Sequence, residues 1–215
     1  LSQHAPFPAP MRDSARAVQF LRHQAKEWNL DPARFGASGG SAGAGTSLWI
    51  GFHDDFADAA NADAVLRESS RLSCMAVAGA QSTYDPRKIR DLIGGRAHEH
   101  PALLPFYGIT EAELDSPKAH AMYEEASPVT HLTKDDPPAY LFYNEPDREL
   151  PPDAKPGVGI HHPRFGRYLK EKMDDLGIEC VVRQESEMKG AGGGGSMHDE
   201  MVAFFRRHLE RGAGA

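Results

Sequence analysis

The chain is poor in cysteine and has no long apolar segment. Its two cysteines, Cys74 and Cys180, are too few for a disulfide framework, and we expect both to be small buried residues. The apolar runs are too short to cross a bilayer, and the first residues lack the pattern of a charged stretch followed by an apolar one that marks a leader. From these features we expect no membrane partner. They do not identify the cellular compartment.

An excess of positive charge is also absent. The formal net charge is −7, and acidic and basic residues alternate along the chain without forming a basic stretch. Nucleic-acid-binding proteins carry basic patches, so we expect no nucleic-acid partner. The length of 215 residues suits one domain, 1–215, with a sizeable core.

Strand-like and helix-like segments follow each other in regular alternation. This order predicts an α/β fold, a three-layer sandwich with a mostly parallel sheet between helices. Between two of the strands, residues 86–132 are broken by prolines and glycines into short helices, which predicts a small cap-like insert. The expected strands are 34–37, 72–80, 139–143 and 179–183, and the expected helices are 13–28, 42–53, 111–114, 117–125, 163–176 and 201–209.

A Gly-x-Ser-x-Gly pattern, Gly39-Gly40-Ser41-Ala42-Gly43, stands between a strand-like and a helix-like run. A serine on so sharp a turn has strained backbone angles, and we expect the glycines at 39 and 43 to give the turn room. The following helix directs its first N–H groups at the serine, so Ala42 is the candidate oxyanion donor. The pattern predicts a serine nucleophile. A phosphate-binding loop is the alternative, but neither Gly-Lys-Ser/Thr nor a fitting Gly-x-Gly-x-x-Gly supports it.

A serine hydroxyl needs a base, and the base needs a carboxylate to orient it. Asp147 follows the strand 139–143 by four residues and is the candidate acid, although a solvated turn aspartate would look the same in sequence. A zinc site is not indicated, because His161, His162 and His198 have neither helical i, i+4 spacing nor a Cys-x-x-Cys motif nearby. We expect no metal and no cofactor.

Three segments give the chain a specific resemblance. They are Asp31-Pro32-Ala33-Arg34-Phe35 leading into the serine motif, Ser127-Pro128-Val129-Thr130-His131 leading into Pro137-Pro138 and a strand, and the loop ending Asp147-Arg148-Glu149-Leu150-Pro151. In these segments the chain resembles the α/β-hydrolase superfamily, in particular its small carboxylesterases and acetylxylan- or feruloyl-esterase-like members. Catalytic domains of prolyl oligopeptidases are a more distant likeness.

The resemblance implies the roles of two residues. In the family the acid loop reads His-Gly-x-x-Asp-x-x-Val-Pro, so Asp147 is the implied triad acid, with Glu145 in reserve. The family's base follows the last strand. This chain has Gly193 where a Gly-His-Gly histidine is expected, which leaves His198 as the candidate base, whereas His161 and His162 are expected to support packing or the pocket rim.

The resemblance also implies an N-terminally truncated fold. Family members have about four more strands and a second oxyanion loop before the helix that starts near Pro8, and this sequence shows neither. The nucleophile strand would then lie at a sheet edge, and an unpaired edge is a template for another chain. We therefore expect a homo-oligomer.

Together these features predict a carboxylic ester hydrolase that acts on a small-molecule ester through an acyl-enzyme. The candidate pocket residues are Gly40, Tyr84, Phe106 and Tyr107, chosen by position. A prolyl-oligopeptidase-type serine peptidase and a catalytically impaired fragment that serves as a binding or assembly module are the alternatives.

Overall fold

The structure is a computed structural model that describes residues 4–190 and 195–210. Its strands form one sheet in which every neighbouring pair is parallel, and their spatial order is their chain order. The parallel α/β architecture predicted from the sequence is confirmed. The strands are β1 (Gly36–Gly40), β2 (Cys74–Ala78), β3 (Ala139–Tyr143) and β4 (Cys180–Gln184).

Helices connect the strands and cover the sheet on both faces, which makes three layers. One face packs against α1, α2, α3 and α6, and the other against α8. The helices are α1 (Ala9–His23), α2 (Ala42–Phe52), α3 (Pro86–Ile93), α4 (Leu103–Tyr107), α5 (Pro117–Ala126), α6 (Arg164–Asp175), α7 (Glu185–Gly190) and α8 (Met197–Glu210).

The two faces follow from the alternation of side chains along a strand. Met75 and Val77 of β2 face the larger core, which contains Leu48 of α2. Cys74 and Ala76 face the smaller core, where Phe204 of α8 packs. Because β3 is buried at every position, it reads in sequence as a continuous apolar run.

Segment 86–132 belongs to the same core as the sheet. Ile89, Tyr107 and Tyr123 from α3, α4 and α5 are buried in the larger cluster. The expected helix at 111–114 is a short 3₁₀ turn, Glu111–Glu113. A cap role for this segment stays a prediction.

Two helices begin at residues other than those predicted from the sequence. α1 begins at Ala9, because Pro10 near its start supplies a preset φ angle, and Ser14 bonds to the Pro10 carbonyl instead of capping the helix. α8 begins at Met197, where Ser196 and Asp199 exchange hydrogen bonds in the manner of a capping box. His198 therefore lies within the first turn of α8.

The described part of the chain contains no helix that is both long and apolar enough to span a membrane. The carboxyl ends of its parallel strands lie at one edge of the sheet. Ser41 follows β1 there, Gly79 and Gln81 follow β2, and Glu145 follows β3. This edge is where ligands bind in α/β folds of this kind.

Candidate active site

Ser41 has a backbone conformation that is unusual for a residue with a side chain. Its φ is +52° and its ψ is −117°, and it is the single residue between β1 and α2. Its N–H donates to the Ala78 carbonyl at 2.9 Å, and its carbonyl accepts from Gly45 N–H at 3.0 Å. These bonds hold the serine in a strained turn that exposes its side chain.

The two glycines of the motif are not equivalent. A Cβ on Gly39 would lie 2.5 Å from the carbonyl carbon of Gly43 and 2.6 Å from its oxygen, so only glycine fits without a backbone shift. A Cβ on Gly43 would meet no described atom within 4 Å, and the same holds for Gly40. The room that the turn needs is therefore at Gly39, and the space beside Gly40 is open, as its predicted place in a pocket requires.

His161 is the side chain that lies against the serine. Its Nε2 is 2.8 Å from Ser41 Oγ, so an unprotonated Nε2 can accept the hydroxyl proton. The ring packs over Gly79, where a Cβ would lie 3.2 Å from His161 Cδ2. The segment before it is fixed by the buried Gln81, whose amide donates to the carbonyls of Ile160 at 2.7 Å and Gly79 at 3.1 Å.

Glu145 faces the other nitrogen of the same ring. Its Oε1 lies 3.6 Å from His161 Nδ1, which is ion-pair distance rather than hydrogen-bond distance, and both side chains are about one-third exposed. His100 interacts electrostatically with His161. Burial lowers the pKa of His100, and the interaction with His161 lowers it further.

The predicted acid, Asp147, has other partners. Its carboxylate pairs with Arg167 of α6, and its second oxygen is 4.0 Å from Nε2 of the buried His162. The hydrogen bond from Arg167 lowers the pKa of Asp147. His162 Nε2 is 3.0 Å from the Arg148 carbonyl. These contacts connect the loop after β3 to α6 and do not include Ser41.

The predicted base, His198, is not at the serine either. It is exposed and lines an open surface depression with other residues of α8, namely Asp199, Val202, Ala203 and Arg206. α8 packs on the face of the sheet opposite to α2. Gly193, the position where the family resemblance places a histidine, lies outside the described residues. The roles of His198 and Asp147 stay predictions.

The predicted pocket aromatics form a cluster beneath the serine helix. Tyr84 and Phe106 stack with centroids 5.2 Å apart, and the Tyr107 hydroxyl donates to the Tyr84 carbonyl at 2.8 Å. Tyr84 and Tyr107 are buried, which raises the pKa of both phenols, and the Tyr84 hydroxyl packs against Gly45. Phe106 alone of the three keeps partial exposure.

Ala42 is the first residue of α2, so its N–H has no acceptor within the helix. It lies next to Ser41 and is exposed, as an oxyanion donor must be.

From the sequence, His161 is predicted to support packing or the pocket rim, because the family order places the base after the last strand. Glu145 is predicted only as a reserve acid. A local signal was present in Gly157 and Gly159, whose φ angles of +81° and +89° turn the chain back before His161. Two glycines so close to a histidine pair indicate a tight, specific loop.

Comparison with known proteins gives a family and a fold. Residues 1–155 match the family model described as BD-FAE, so the match includes Ser41 and the loop with Glu145 and Asp147 and ends before His161 and His198.

Three solved structures are similar to this chain. An acetyl ester-xyloside bifunctional hydrolase from Caldicellulosiruptor lactoaceticus is 18% identical, with 98% of this chain and 68% of that chain covered and a TM-score of 0.61. A truncated form of a carbohydrate esterase from gut microbiota is 17% identical, with coverages of 97% and 71% and a TM-score of 0.65. Thermogutta terrifontis esterase 2, phosphonylated by sarin, is 17% identical, with coverages of 94% and 66% and a TM-score of 0.60.

The chain thus spans about two thirds of the length of each of these three proteins. At such identities the likeness concerns the fold, which is that of esterases of the α/β-hydrolase type. The resemblance predicted from the sequence is confirmed.

Proposed function

Because the chain belongs to the BD-FAE family, we propose that it is a carboxylic ester hydrolase in which Ser41 is the nucleophile and His161 the general base. Glu145 orients the imidazole. The observation that carries the proposal is the 2.8 Å separation of Ser41 Oγ and His161 Nε2 on a serine with positive φ.

The reaction follows from this geometry. As Ser41 Oγ attacks the ester carbonyl, its proton moves to His161 Nε2, and the oxyanion accepts a hydrogen bond from Ala42 N–H. The imidazolium is stabilised by the Glu145 carboxylate and returns the proton to the leaving alcohol. Water, deprotonated by His161, then attacks the acyl-enzyme and releases the acid, which restores the serine.

The 3.6 Å between Glu145 Oε1 and His161 Nδ1 is compatible with this role. Catalytic hydrogen bonds are often long in the free enzyme and shorten when substrate binds. The separation must decrease by about 0.6–0.8 Å to reach a normal N–H···O distance, and both side chains are only partly buried.

The proposed substrate is a small carboxylic ester, and acetylated carbohydrates are the class to test first. Two of the similar structures are named as an acetyl ester-xyloside hydrolase and a carbohydrate esterase. The open space beside Gly40 gives the acyl carbonyl access to the serine. The reaction needs no cofactor.

The assignment predicted from the sequence, with His198 as base and Asp147 as acid, uses the same nucleophile and is the competing proposal. One experiment separates the two. The initial rate of p-nitrophenyl acetate hydrolysis is measured for the wild type and for variants at each position: Ser41→Ala, His161→Ala, His198→Ala, Glu145→Gln and Asp147→Asn.

We expect Ser41→Ala and His161→Ala to lose at least about 1000-fold in kcat, as removal of a triad member does. His198→Ala should stay near the wild type, and Glu145→Gln should lose more than Asp147→Asn. The reverse pattern, with His161→Ala active and His198→Ala inactive, would overturn our assignment and favour the competing one. Circular dichroism of each variant checks that it is folded.

Labelling with a fluorophosphonate tests the serine independently of the substrate. Sarin is itself a fluorophosphonate, and it phosphonylates one of the similar esterases. We expect wild type to be labelled and Ser41→Ala to remain unlabelled. A wild type that is neither labelled nor active on esters would instead support a binding or assembly module, and cleavage of peptides but not esters would support the peptidase.

We also propose association through the β1 edge. In the described residues β1 pairs only with β2, and alternate positions of β1 are exposed. An unpaired strand edge presents free N–H and C=O groups that can pair with a strand of another chain. Light scattering of a micromolar solution should give at least twice the 23.5 kDa chain mass, and a clean monomer would contradict this proposal.

A further inference from the structure

A second group of polar side chains lies at the end of α2 remote from Ser41. His53 caps the carboxyl end of that helix, Glu125 lies in the last turn of α5, and His131 follows the turn after α5. One ring nitrogen of each histidine and one carboxylate oxygen of Glu125 lie within 4.8 Å of one another. The proposed reaction does not use this group.

The hydrogen bonds of the two rings fix which nitrogens carry protons. His131 Nε2 lies 2.7 Å from the Glu125 carbonyl, and His53 Nδ1 lies 3.1 Å from the Asp54 carbonyl. A carbonyl only accepts hydrogen bonds, so both of these nitrogens must be protonated. Each neutral ring therefore keeps one lone pair, on His53 Nε2 and on His131 Nδ1. Metal-binding histidines commonly have this arrangement, in which the second nitrogen donates to a carbonyl.

Two acceptors then face each other. His53 Nε2 is 3.3 Å from Glu125 Oε1, and a neutral imidazole with a carboxylate at that distance needs a cation between them. The cation is either a proton on His53 or a metal ion. The rings of His53 and His131 are in contact, with centroids 4.4 Å apart, which disfavours positive charge on both imidazoles.

The distances suit a small divalent ion. Two ligands of a tetrahedral zinc ion, each bonded at about 2.0–2.1 Å, lie about 3.3 Å apart, which is the separation of His53 Nε2 and Glu125 Oε1. Two imidazoles and a carboxylate are a ligand set that zinc and similar transition ions accept. The buried Trp49 supports the site, because its ring packs on His53 and its indole N–H donates to the Glu125 carbonyl.

We propose that His53, Glu125 and His131 bind one divalent transition-metal ion of the zinc class, with water completing the coordination. The ion connects the end of the nucleophile helix α2 to α5 and to the segment after it. Its effect is on stability: an ion that binds only the folded chain stabilises it, and at about 100 times its dissociation constant the melting temperature rises by roughly 5–10 °C.

The test uses the full chain without an affinity tag. Zinc chloride is titrated into the metal-free protein by calorimetry, and melting temperatures are measured with zinc and with chelator. We expect one zinc ion per chain and a melting temperature that rises with zinc. His53→Ala and His131→Ala should lose both effects, and Glu125→Gln should weaken zinc binding by at least about 10-fold, as loss of a metal contact does.

The matched control is His23→Ala. His23 Nδ1 lies 3.7 Å from Glu68 Oε1, a histidine–glutamate pair that no second histidine joins in the part of the chain that the structure describes, and this variant should bind zinc as the wild type does. Binding that is unchanged in His53→Ala and His131→Ala, or no binding in the wild type, would overturn the proposal. Either result would mean that His53 and Glu125 form only an imidazolium–carboxylate contact.

Trp49 gives a readout that does not depend on stability. In Trp28→Phe protein it is the sole tryptophan, and its ring centroid is 4.4 Å from that of His53. Copper(II) is a strong quencher at such distances, so one equivalent should remove most of the emission in this background. In the Trp28→Phe/His131→Ala double variant the emission should persist. Equal quenching of the single and the double variant would count against the site.

Discussion

The inequality of Gly39 and Gly43 leads to a prediction that the sequence motif alone does not make. A Gly39→Ala side chain would lie 2.5 Å from the Gly43 carbonyl carbon. To reach an ordinary contact of about 3.4–3.5 Å, the start of α2 must move about 1 Å away from β1. Ser41 lies between the two glycines and moves with that turn.

Two magnitudes follow. Overpacking of this kind destabilises a protein by about 1–3 kcal/mol, which corresponds to a melting temperature roughly 3–10 °C lower in a chain of this size. A 1 Å displacement of a reacting group lowers the rate by about 100-fold. Both should be seen in Gly39→Ala, by urea unfolding and by p-nitrophenyl acetate hydrolysis.

Gly43→Ala is the matched control, because its Cβ meets no described atom within 4 Å. Alanine is the better helix former by up to about 1 kcal/mol, so Gly43→Ala should be as stable as the wild type or more stable. Equal destabilisation of the two variants would refute the reasoning, since it would show that the close contact between position 39 and the Gly43 backbone is not the cause.

Three further predictions concern parts of the molecule away from the serine. Gln19→Leu should lower the free energy of unfolding by about 1–3 kcal/mol in urea titrations, because the buried Gln19 amide donates to the carbonyls of Phe56 at 3.2 Å and Glu68 at 2.8 Å, which would lose this partner. Burial raises the pKa of the Cys74 thiol to about 11 and that of Cys180 to about 12, so neither should react with Ellman's reagent at pH 8 until the protein is unfolded; rapid reaction in the native state would contradict this. The pKa of Asp147 is lowered in the folded state, so its contribution is present above its unfolded value of about 3.9 and is lost as pH falls through the lower folded value. Asp147→Asn should therefore lower stability by less than about 1 kcal/mol at pH 7, and unfolding titrations should find that difference shrinking as the pH falls below about 3.9; a difference that grows on acidification would be inconsistent with the Arg167 pair.

The regular parts of this molecule were predictable because each depends on a local pattern. β3 was predicted at its observed bounds, since a strand buried on both faces is a continuous apolar run. The serine turn was predictable because sterics restrict its neighbours. α8 started earlier than predicted, because Ser196 and Asp199 form its cap and polar residues fill its first turn.

The partners of Ser41 were harder to predict, because long-range packing places them. His161 lies on a loop without periodicity, and it reaches the serine through Gln81, a polar residue from another segment that is buried by the fold. Gly157 and Gly159 indicate a tight loop before His161, but they do not indicate that this loop reaches Ser41. Asp147 matched a family spacing, yet its carboxylate pairs with Arg167, and such pairing depends on how α6 docks.

The agreement between chain order and sheet order has a consequence for synthesis. As the chain leaves the ribosome, β2 emerges after its neighbour β1 and β3 after its neighbour β2. The Ala78 carbonyl that accepts from Ser41 N–H is therefore synthesised before His161. A nascent chain halted between β3 and His161 would contain Ser41 but not its base, so reactivity toward fluorophosphonate would begin only after His161 has been synthesised.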